Sequence, residues 1–310
     1  MKKKILITGS NGFLGRQFIR KFKINYNILA IDNERSGKKR LSKNDKSGIK
    51  FRKIDIRNFE KLKRVVLKFK PEYILHLAAV HFIPDCENNP TEATSINVQG
   101  TINMLDLCSN KCKFIFASTA AVYKPSKVAH KESDNIYPQD IYGFNKAHCE
   151  NYISYLSNHK KFNFYILRLF NLVGPGETNP HLFPEIFKQF KNGKRKISLG
   201  NTKSKRDYIH IEDVSDAINA IINNRKHINK NMVINIGTGK SYSVDQILNK
   251  ISSLSKMKIS SETDKNKLRK IDRPNLKSDI SSIKKVFYWK PKKNIDDVIS
   301  EMINLKTKDI

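Results

Sequence analysis

No stretch of eighteen consecutive apolar residues occurs in this 310-residue chain, which excludes a membrane-spanning helix of ordinary length. None of the four cysteines, Cys86, Cys108, Cys112 and Cys149, forms a Cys-x-x-Cys pair, and the eight histidines show no metal-ligand spacing. Zinc and a disulfide framework are therefore set aside, and a reduced cytoplasmic setting with no metal is expected. Acidic residues are scarce: 29 Asp and Glu face 59 Lys and Arg, for a formal net charge of +30. There is no internal repeat. The basic start, Met1 to Lys4, runs directly into the apolar Ile5-Leu6-Ile7, so no targeting segment is expected.

The charge excess alone would suit a polyanionic partner. The lysines, however, are spread through nearly every element beside many Asn and Ile, a pattern of A+T-biased coding and not of one binding stripe. The excess is read as solvated surface, with attraction of an anionic nucleotide as a lesser contribution. Neither a nucleic-acid nor a membrane partner is expected.

The length suits two domains or one large α/β unit. Strand-like runs at 4–8, 27–31, 49–54, 73–78, 113–117 and 164–169 alternate with amphipathic stretches at 13–22, 58–69, 95–109 and 140–158. That alternation predicts the α/β class, with a doubly wound parallel sheet. After Gly174-Pro175-Gly176 the regularity weakens. A first domain over 1–172 and a smaller α/β substrate domain over 173–310 are expected, with part of about 208–238, including the buried-looking run 232–236, returning to the first sheet. The segment 262–270 reads as a charged loop or helix surface.

Gly9, Gly12 and Gly15 follow the first strand at three-residue spacing and open a helix. Glycines there let the backbone approach a pyrophosphate, which also meets the positive end of the helix. Their position directly after an N-terminal apolar strand separates the pattern from an ordinary turn and predicts a Rossmann-type dinucleotide site. Asp32 closes the second strand where a carboxylate accepts hydrogen bonds from the adenosine ribose. A carboxylate repels a 2'-phosphate, so NAD is expected over NADP; the alternatives are a plain turn residue, and some room for NADP beside Arg35. Asp55 either faces the adenine or caps the helix that follows.

Tyr142 and Lys146 stand at i and i+4, on one face of a helix. A free phenol, with a pKa of about 10, is a poor base at neutral pH. A lysine cation and a positively charged nicotinamide would both favour the phenolate, making Tyr142 a general base for a sugar or alcohol hydroxyl.

Further motifs stand in order along the chain: His76-Leu77-Ala78-Ala79, Ser118-Thr119-Ala120-Ala121-Val122-Tyr123, Arg168-Leu169-Phe170-Asn171, Arg206-Asp207-Tyr208-Ile209-His210 and Asn235-Ile236-Gly237-Thr238-Gly239. With them the chain resembles, over nearly its whole length, the extended short-chain dehydrogenase/reductase family in its NAD-dependent nucleotide-sugar epimerase/dehydratase branch. The resemblance implies a catalytic triad of Thr119, Tyr142 and Lys146, with Thr119 orienting the sugar hydroxyl; a strand-end hydroxyl capping its own backbone is the plainer reading of Thr119. It implies that NAD is held by Gly9, Asn11, Gly12, Phe13, Leu14, Gly15, Asp32, Asn33, Asp55, Ile56, Leu77, Ala78, Ala79, Tyr142 and Lys146. It also implies that His81, Thr119, Asn171, Arg206 and Arg273 meet the nucleotide sugar, arginine suiting phosphate through its planar fork. Arg273 departs from the pattern, since the family's Arg-Pro-Gly-Asp is Arg273-Pro274-Asn275-Leu276 here. His81 equally suits a structural role.

Absent residues separate the branches. Dehydratases of this family carry an Asp-Glu pair directly after the threonine, because eliminating water requires an acid and a base; here Ala120-Ala121 stands there. Decarboxylating members resemble the dehydratases in placing a glutamate at the position of Ala121, and epimerase-reductases of the fucose type place a cysteine. The loop from Asp32 to Lys38 resembles the Asp-Asn-Leu-Ser-x-Gly loop of UDP-hexose 4-epimerases, with Glu34 replacing leucine. A nucleotide-sugar 4-epimerase acting through a 4-keto intermediate is therefore implied, with a UDP-sugar as favoured substrate. A 4-ketoreductase or dehydrogenase with the same triad is the alternative, and a non-catalytic dinucleotide sensor or RNA-binding relative the plainer one. Relatives pair through two helices per subunit, so a homodimer through 95–109 and 140–158 is implied; Ile102, Leu105, Ile153 and Leu156 suit either that interface or packing on the sheet. The family also implies a place in surface-polysaccharide synthesis.

Overall fold

The computed structural model describes residues 1–35, 40–177, 179–224, 226, 230–267 and 273–305. Of the loop from Asp32 to Lys38, Ser36, Gly37 and Lys38 lie outside the described residues.

Six strands alternate with helices through the first half: β1 (Lys4–Thr8), β2 (Asn27–Asp32), β3 (Lys50–Lys53), β4 (Tyr73–His76), β5 (Lys113–Thr119) and β6 (Asn163–Leu169). Their apolar runs, such as Ile5-Leu6-Ile7 and Phe114-Ile115-Phe116, are fully buried, as expected of central strands covered on both faces. One seven-stranded sheet results, in the order Met232–Ile236, β6, β5, β4, β1, β2, β3. The pairs β1–β2, β1–β4, β2–β3 and β4–β5 are parallel. This is the doubly wound architecture that the alternation predicts, and the order reverses between β1 and β4, where such sheets open a crevice at their carboxyl ends.

The chain divides into two compact units. The first comprises Met1–Tyr123, Ile136–Arg168 and Ile218–Ile234; the second comprises Lys124–Asn135, Leu169–Ala217 and Asn235–Ile310. The first unit thus takes in residues beyond 173 and leaves Lys124–Asn135 to the second. Its core joins Leu6, Ile74, Phe114, Phe116 and Ile166 of the sheet to Leu62, Met104, Ile153 and Phe162. A fully buried side chain of this size contributes about 1.5–3 kcal/mol relative to exposure. The second unit has its own core, in which Val173, Phe183, Phe187, Leu199, Ile247, Ile251 and Ile299 meet.

Three local expectations change. The stretch 95–109 is not one regular helix: a π-helical turn, Ser95–Gln99, leads into a helix at Gly100–Asp106. The cap of the helix Phe59–Phe69 is Asn58, whose side chain accepts from Lys61 N at 3.0 Å, and not Asp55. Ser260–Thr263 is a strand paired in parallel with Lys196–Leu199, followed by a 3-10 turn at Lys265–Lys267, where a charged loop or helix is expected; 268–270 lie outside the described residues. Among the described residues no helix is long and apolar enough to cross a membrane.

Candidate active site

The glycine turn joins β1 to helix α1 (Phe13–Phe22) and is held against the neighbouring strand ends. Gly9 has a left-handed φ of 67°, and a Cβ there would stand 2.7 Å from Ala78 N. A Cβ at Gly15 would meet Gly9 O at 2.5 Å, so the helix could not pack so close to the turn. Gly12 caps α1 without a side-chain hydrogen bond, and no acidic residue occupies the first turn. The backbone donors of Phe13 and Leu14 therefore open a helix whose positive end is uncompensated by side chains, a setting that fits a pyrophosphate. Leu77 N bonds to Thr8 O at 3.2 Å and Ala78 N to Thr8 Oγ1 at 3.3 Å, which brings the segment after β4 beside this turn.

Asp32 accepts from Asn11 N at 2.8 Å and from Glu34 N at 2.7 Å. Burial raises its pKa, and those backbone donors offset part of the rise. It is thus more than a turn residue: it ties the end of β2 to the glycine turn. Asn33 Nδ2 donates to Asp55 Oδ2 at 3.0 Å, and the Arg57 guanidinium holds the Asp55 carboxyl well below the usual range. Ile56 is buried against Gly100. Arg35 pairs with Glu92 at 2.8 Å, which engages the cation that left room for NADP.

Thr119 ends β5, and Tyr142 and Lys146 lie on the first turns of the helix Ile141–Lys160, capped by Asp140 accepting from Gly143 N at 2.8 Å. The plainer reading of Thr119 is met, since its hydroxyl accepts from Ala121 N at 3.1 Å, and the same hydroxyl lies near enough to the Tyr142 phenol to favour its ionised form. The Lys146 ammonium donates to Ala117 O at 2.7 Å and lies 4.4 Å from the Phe116 ring centre and 5.9 Å from that of Tyr142. Its burial lowers its pKa to about 8. The phenol differs from expectation. Burial raises it, and the neighbouring Thr119 hydroxyl offsets only part of the rise, so the protein's own groups do not favour the phenolate. Ala120 and Ala121 are buried in the short turn after Thr119, so the acid pair of the dehydratases does not follow it.

Several supporting residues carry no signal in the sequence. Asn97, in the π-turn, exchanges hydrogen bonds with the backbone of Val80 at 2.8 and 2.9 Å, fixing the segment that carries Ala79 and the exposed His81. Its own carbonyl accepts from Thr101 Oγ1 at 2.6 Å and from Cys149 Sγ at 3.2 Å, consistent with an irregular turn releasing a carbonyl from the helical pattern. Thr101 also meets His76 Nε2 at 3.0 Å, while His76 Nδ1 meets Thr8 Oγ1 at 2.7 Å. Burial lowers the His76 pKa to about 3, so the ring is neutral and knits β1 to β4.

In the second unit, Asn171, Arg206 and Arg273 gather around Asp207. Asn171 N donates to Asp207 O at 3.0 Å, and Arg206 Nη1 donates to Arg273 O at 2.7 Å. The buried Asp207 carboxylate accepts from Thr238 N, Thr238 Oγ1, Gly239 N, Ser278 N and Ser278 Oγ. The Arg-Asp-Tyr motif therefore divides its work: Asp207 locks the turn at 237–239, while Arg206 stays half-buried at the surface of the unit.

Comparison with known proteins gives the family and the fold. A family model described as the NAD dependent epimerase/dehydratase family matches residues 5–237. The chain is 30% identical over 289 residues to a GDP-6-deoxy-D-talose 4-dehydrogenase of Aggregatibacter actinomycetemcomitans, covering 90% of each chain. It is 28% identical over 318 residues to a UDP-glucose 4-epimerase of Lactobacillus helveticus, covering 96% of this chain and 95% of that one. The UDP-glucose 4-epimerase of Bifidobacterium longum, solved with NAD+ and UDP, shares the fold with a TM-score of 0.87 at 24% identity, over 99% of each chain.

Proposed function

The chain belongs to the NAD-dependent epimerase/dehydratase family, and from that premise we propose that it is a nucleotide-sugar 4-epimerase. The observation that carries the reading is the placement of the Lys146 ammonium 5.9 Å from the centre of the Tyr142 ring, one helical turn on, with Thr119 at the end of β5 followed only by buried alanines. Such a site can move a proton at one carbinol, and the Asp-Glu pair that dehydratases use to eliminate water is replaced by Ala120-Ala121. The glycine turn at 9–15, with Asp32, Asn33, Asp55, Ile56, Leu77, Ala78 and Ala79, would hold NAD, which when bound supplies a two-electron acceptor and donor at C4. The close backbone approach at Gly9 and the uncapped start of α1 fit that group.

Tyr142 would take the proton of the C4 hydroxyl and return it to the re-reduced 4-keto sugar. Thr119, at the end of β5 beside the phenol, would orient the reacting oxygen. Because burial raises the phenol with Lys146 already in place, its ionisation would depend on further positive charge brought into the site by the bound cofactor. His81 would line the sugar pocket, and Asn171, Arg206 and Arg273 would hold the nucleoside diphosphate, for which UDP is favoured and GDP is the alternative. Proton NMR of the protein with a pool of UDP- and GDP-hexoses and no added cofactor tests this. A C4-inverted product supports the 4-epimerase; an unchanged pool, together with stoichiometric NAD(P)H oxidation on a 4-keto sugar, supports a reductase or dehydrogenase instead. That second reading is favoured by the named activity of the 30%-identical relative.

A cytoplasmic homodimer is the proposed form. The four cysteines are buried and unbridged, which suits a reducing compartment. Leu105 and Ile153 are fully buried in the core of the first unit, so packing on the sheet accounts for them. The exposed face of the helix Ile141–Lys160 carries other residues, Phe144, His148, Tyr152, Tyr155 and His159, at spacings of four, four, three and four. An aromatic stripe of this kind suits a second copy of the chain.

A further inference from the structure

We propose that Arg40 grips the diphosphate of the dinucleotide cofactor, an assignment that rests on the NAD reading above. The position of Arg40 is set by the glycine turn itself: Asn11 Oδ1 accepts from Arg40 N at 2.8 Å and from Leu41 N at 2.7 Å. Residues 40 and 41 are thereby fastened to the residue between Gly9 and Gly12, and the Arg40 side chain starts beside the glycine-turn backbone.

The guanidinium lies within electrostatic reach of Asp32 at the end of β2, His81 after β4 and Arg16 in α1. Arg40 is half-buried, its Nε is sealed from solvent, and that atom makes no hydrogen bond among the described residues. Its nearby carboxylate, Asp32, already accepts two backbone N–H groups, and Arg16 adds a like charge. A partly desolvated cation beside another cation is costly unless an anion meets it. A diphosphate over the glycine turn supplies that anion, and the planar guanidinium fork matches its oxygens. Because Arg40 acts electrostatically on His81 after β4 as well as on Asp32 at the ribose end, the assignment is to the diphosphate and not to a 2'-phosphate beside Asp32.

The test is calorimetric binding of NAD, NADP and ADP, and ligand-observed NMR titration of adenosine, to wild-type protein stripped of nucleotide and to Arg40→Gln and Arg40→Lys. Arg40→Gln is expected to weaken NAD and ADP at least about tenfold and adenosine less than about twofold, with Arg40→Lys recovering part of the loss. Unchanged ADP binding in Arg40→Gln would overturn the assignment, as would equal weakening of adenosine, which would mean a collapsed loop. Loss confined to NADP would move the contact to a 2'-phosphate and also overturn it. Wild-type protein that binds neither NAD nor NADP would instead remove the NAD reading on which the assignment stands.

Discussion

Arg168 and Glu150 form an ion pair sealed inside the first unit, with Arg168 Nη2 2.7 Å from Glu150 Oε2 and side chains only 4% and 5% exposed. Arg168 Nε adds contacts of 3.1 and 3.2 Å to the two carboxylate oxygens, and Ser118 Oγ donates to the same group. The pair fastens β6, the helix Ile141–Lys160 and β5 together, one residue before Thr119 and one turn after Lys146. Glu150→Gln would leave the buried guanidinium without its counter-charge. We expect a stability loss of about 3–5 kcal/mol in urea denaturation; a loss below about 1 kcal/mol would mean that water reaches the pair.

Lys146 gives a stability signature with a definite sign. Its pKa falls from 10.5 to about 8 on folding, with burial the largest cause. Between those values the unfolded chain binds more protons than the folded one, so wild-type stability relative to Lys146→Met should rise with pH across that window. At pH 7 the buried ammonium costs roughly 3 kcal/mol by this shift, before the hydrogen bond to Ala117 O is counted. Lys146→Met should therefore be the more stable protein at pH 7 and lose that advantage toward pH 10.5. Parallel stability curves for the two proteins would show that the ammonium is solvated.

Tyr142→Phe removes only the phenolic hydroxyl. Turnover is expected to fall about 10³-fold, within the usual range for general acid–base groups. NAD affinity should stay within about twofold of wild type, because the aromatic ring remains. Steady-state rates alongside calorimetric NAD binding check both halves, and a variant retaining near-normal turnover would remove the phenol from the mechanism.

Much of this architecture was legible because its signals are local. Apolar runs flanked by amphipathic stretches mark the strands of the sheet, and the spacing of Tyr142 and Lys146 marks a shared helix face. Features that depend on distant residues were hidden. Glu150 and Arg168 stand 18 positions apart with nothing in either motif to pair them. The π-turn at Ser95–Gln99 preserves enough helical periodicity to read as ordinary helix, and the polar, largely exposed side chains of Ser260–Thr263 mask a strand. The phenol illustrates the limit most clearly. The charged neighbour is evident from spacing, but the opposing effect of burial, which prevails in Tyr142, exists only after the chain folds.

Asp32→Ser should discriminate between cofactors. The carboxylate holds the backbone of Asn11 and Glu34, and at the ribose it would accept two hydroxyls from NAD while repelling a 2'-phosphate. The substitution is expected to weaken NAD about tenfold and NADP much less, a difference near 1.4 kcal/mol. Calorimetric titration with both dinucleotides measures the ratio. An unchanged ratio would show that the end of β2 does not meet the ribose.

Assembly can be tested at Tyr155, which is 64% exposed and packs its ring 4.5 Å from that of His159. Its neighbours on the helix face, Phe144 and Tyr152, are 45% and 43% exposed, so the first unit's own core explains none of the three. If that stripe meets its counterpart in a second copy, the two Tyr155 side chains enter an apolar contact where a charge would be costly to desolvate. Light scattering should give wild-type protein at twice the 35.8 kDa chain mass and Tyr155→Glu at the single-chain mass. Thermal unfolding then separates assembly from folding: the variant should keep a cooperative transition, with a midpoint that no longer depends on protein concentration. A wild-type chain that scatters as a monomer at tens of micromolar would leave the aromatic face without a self-association role.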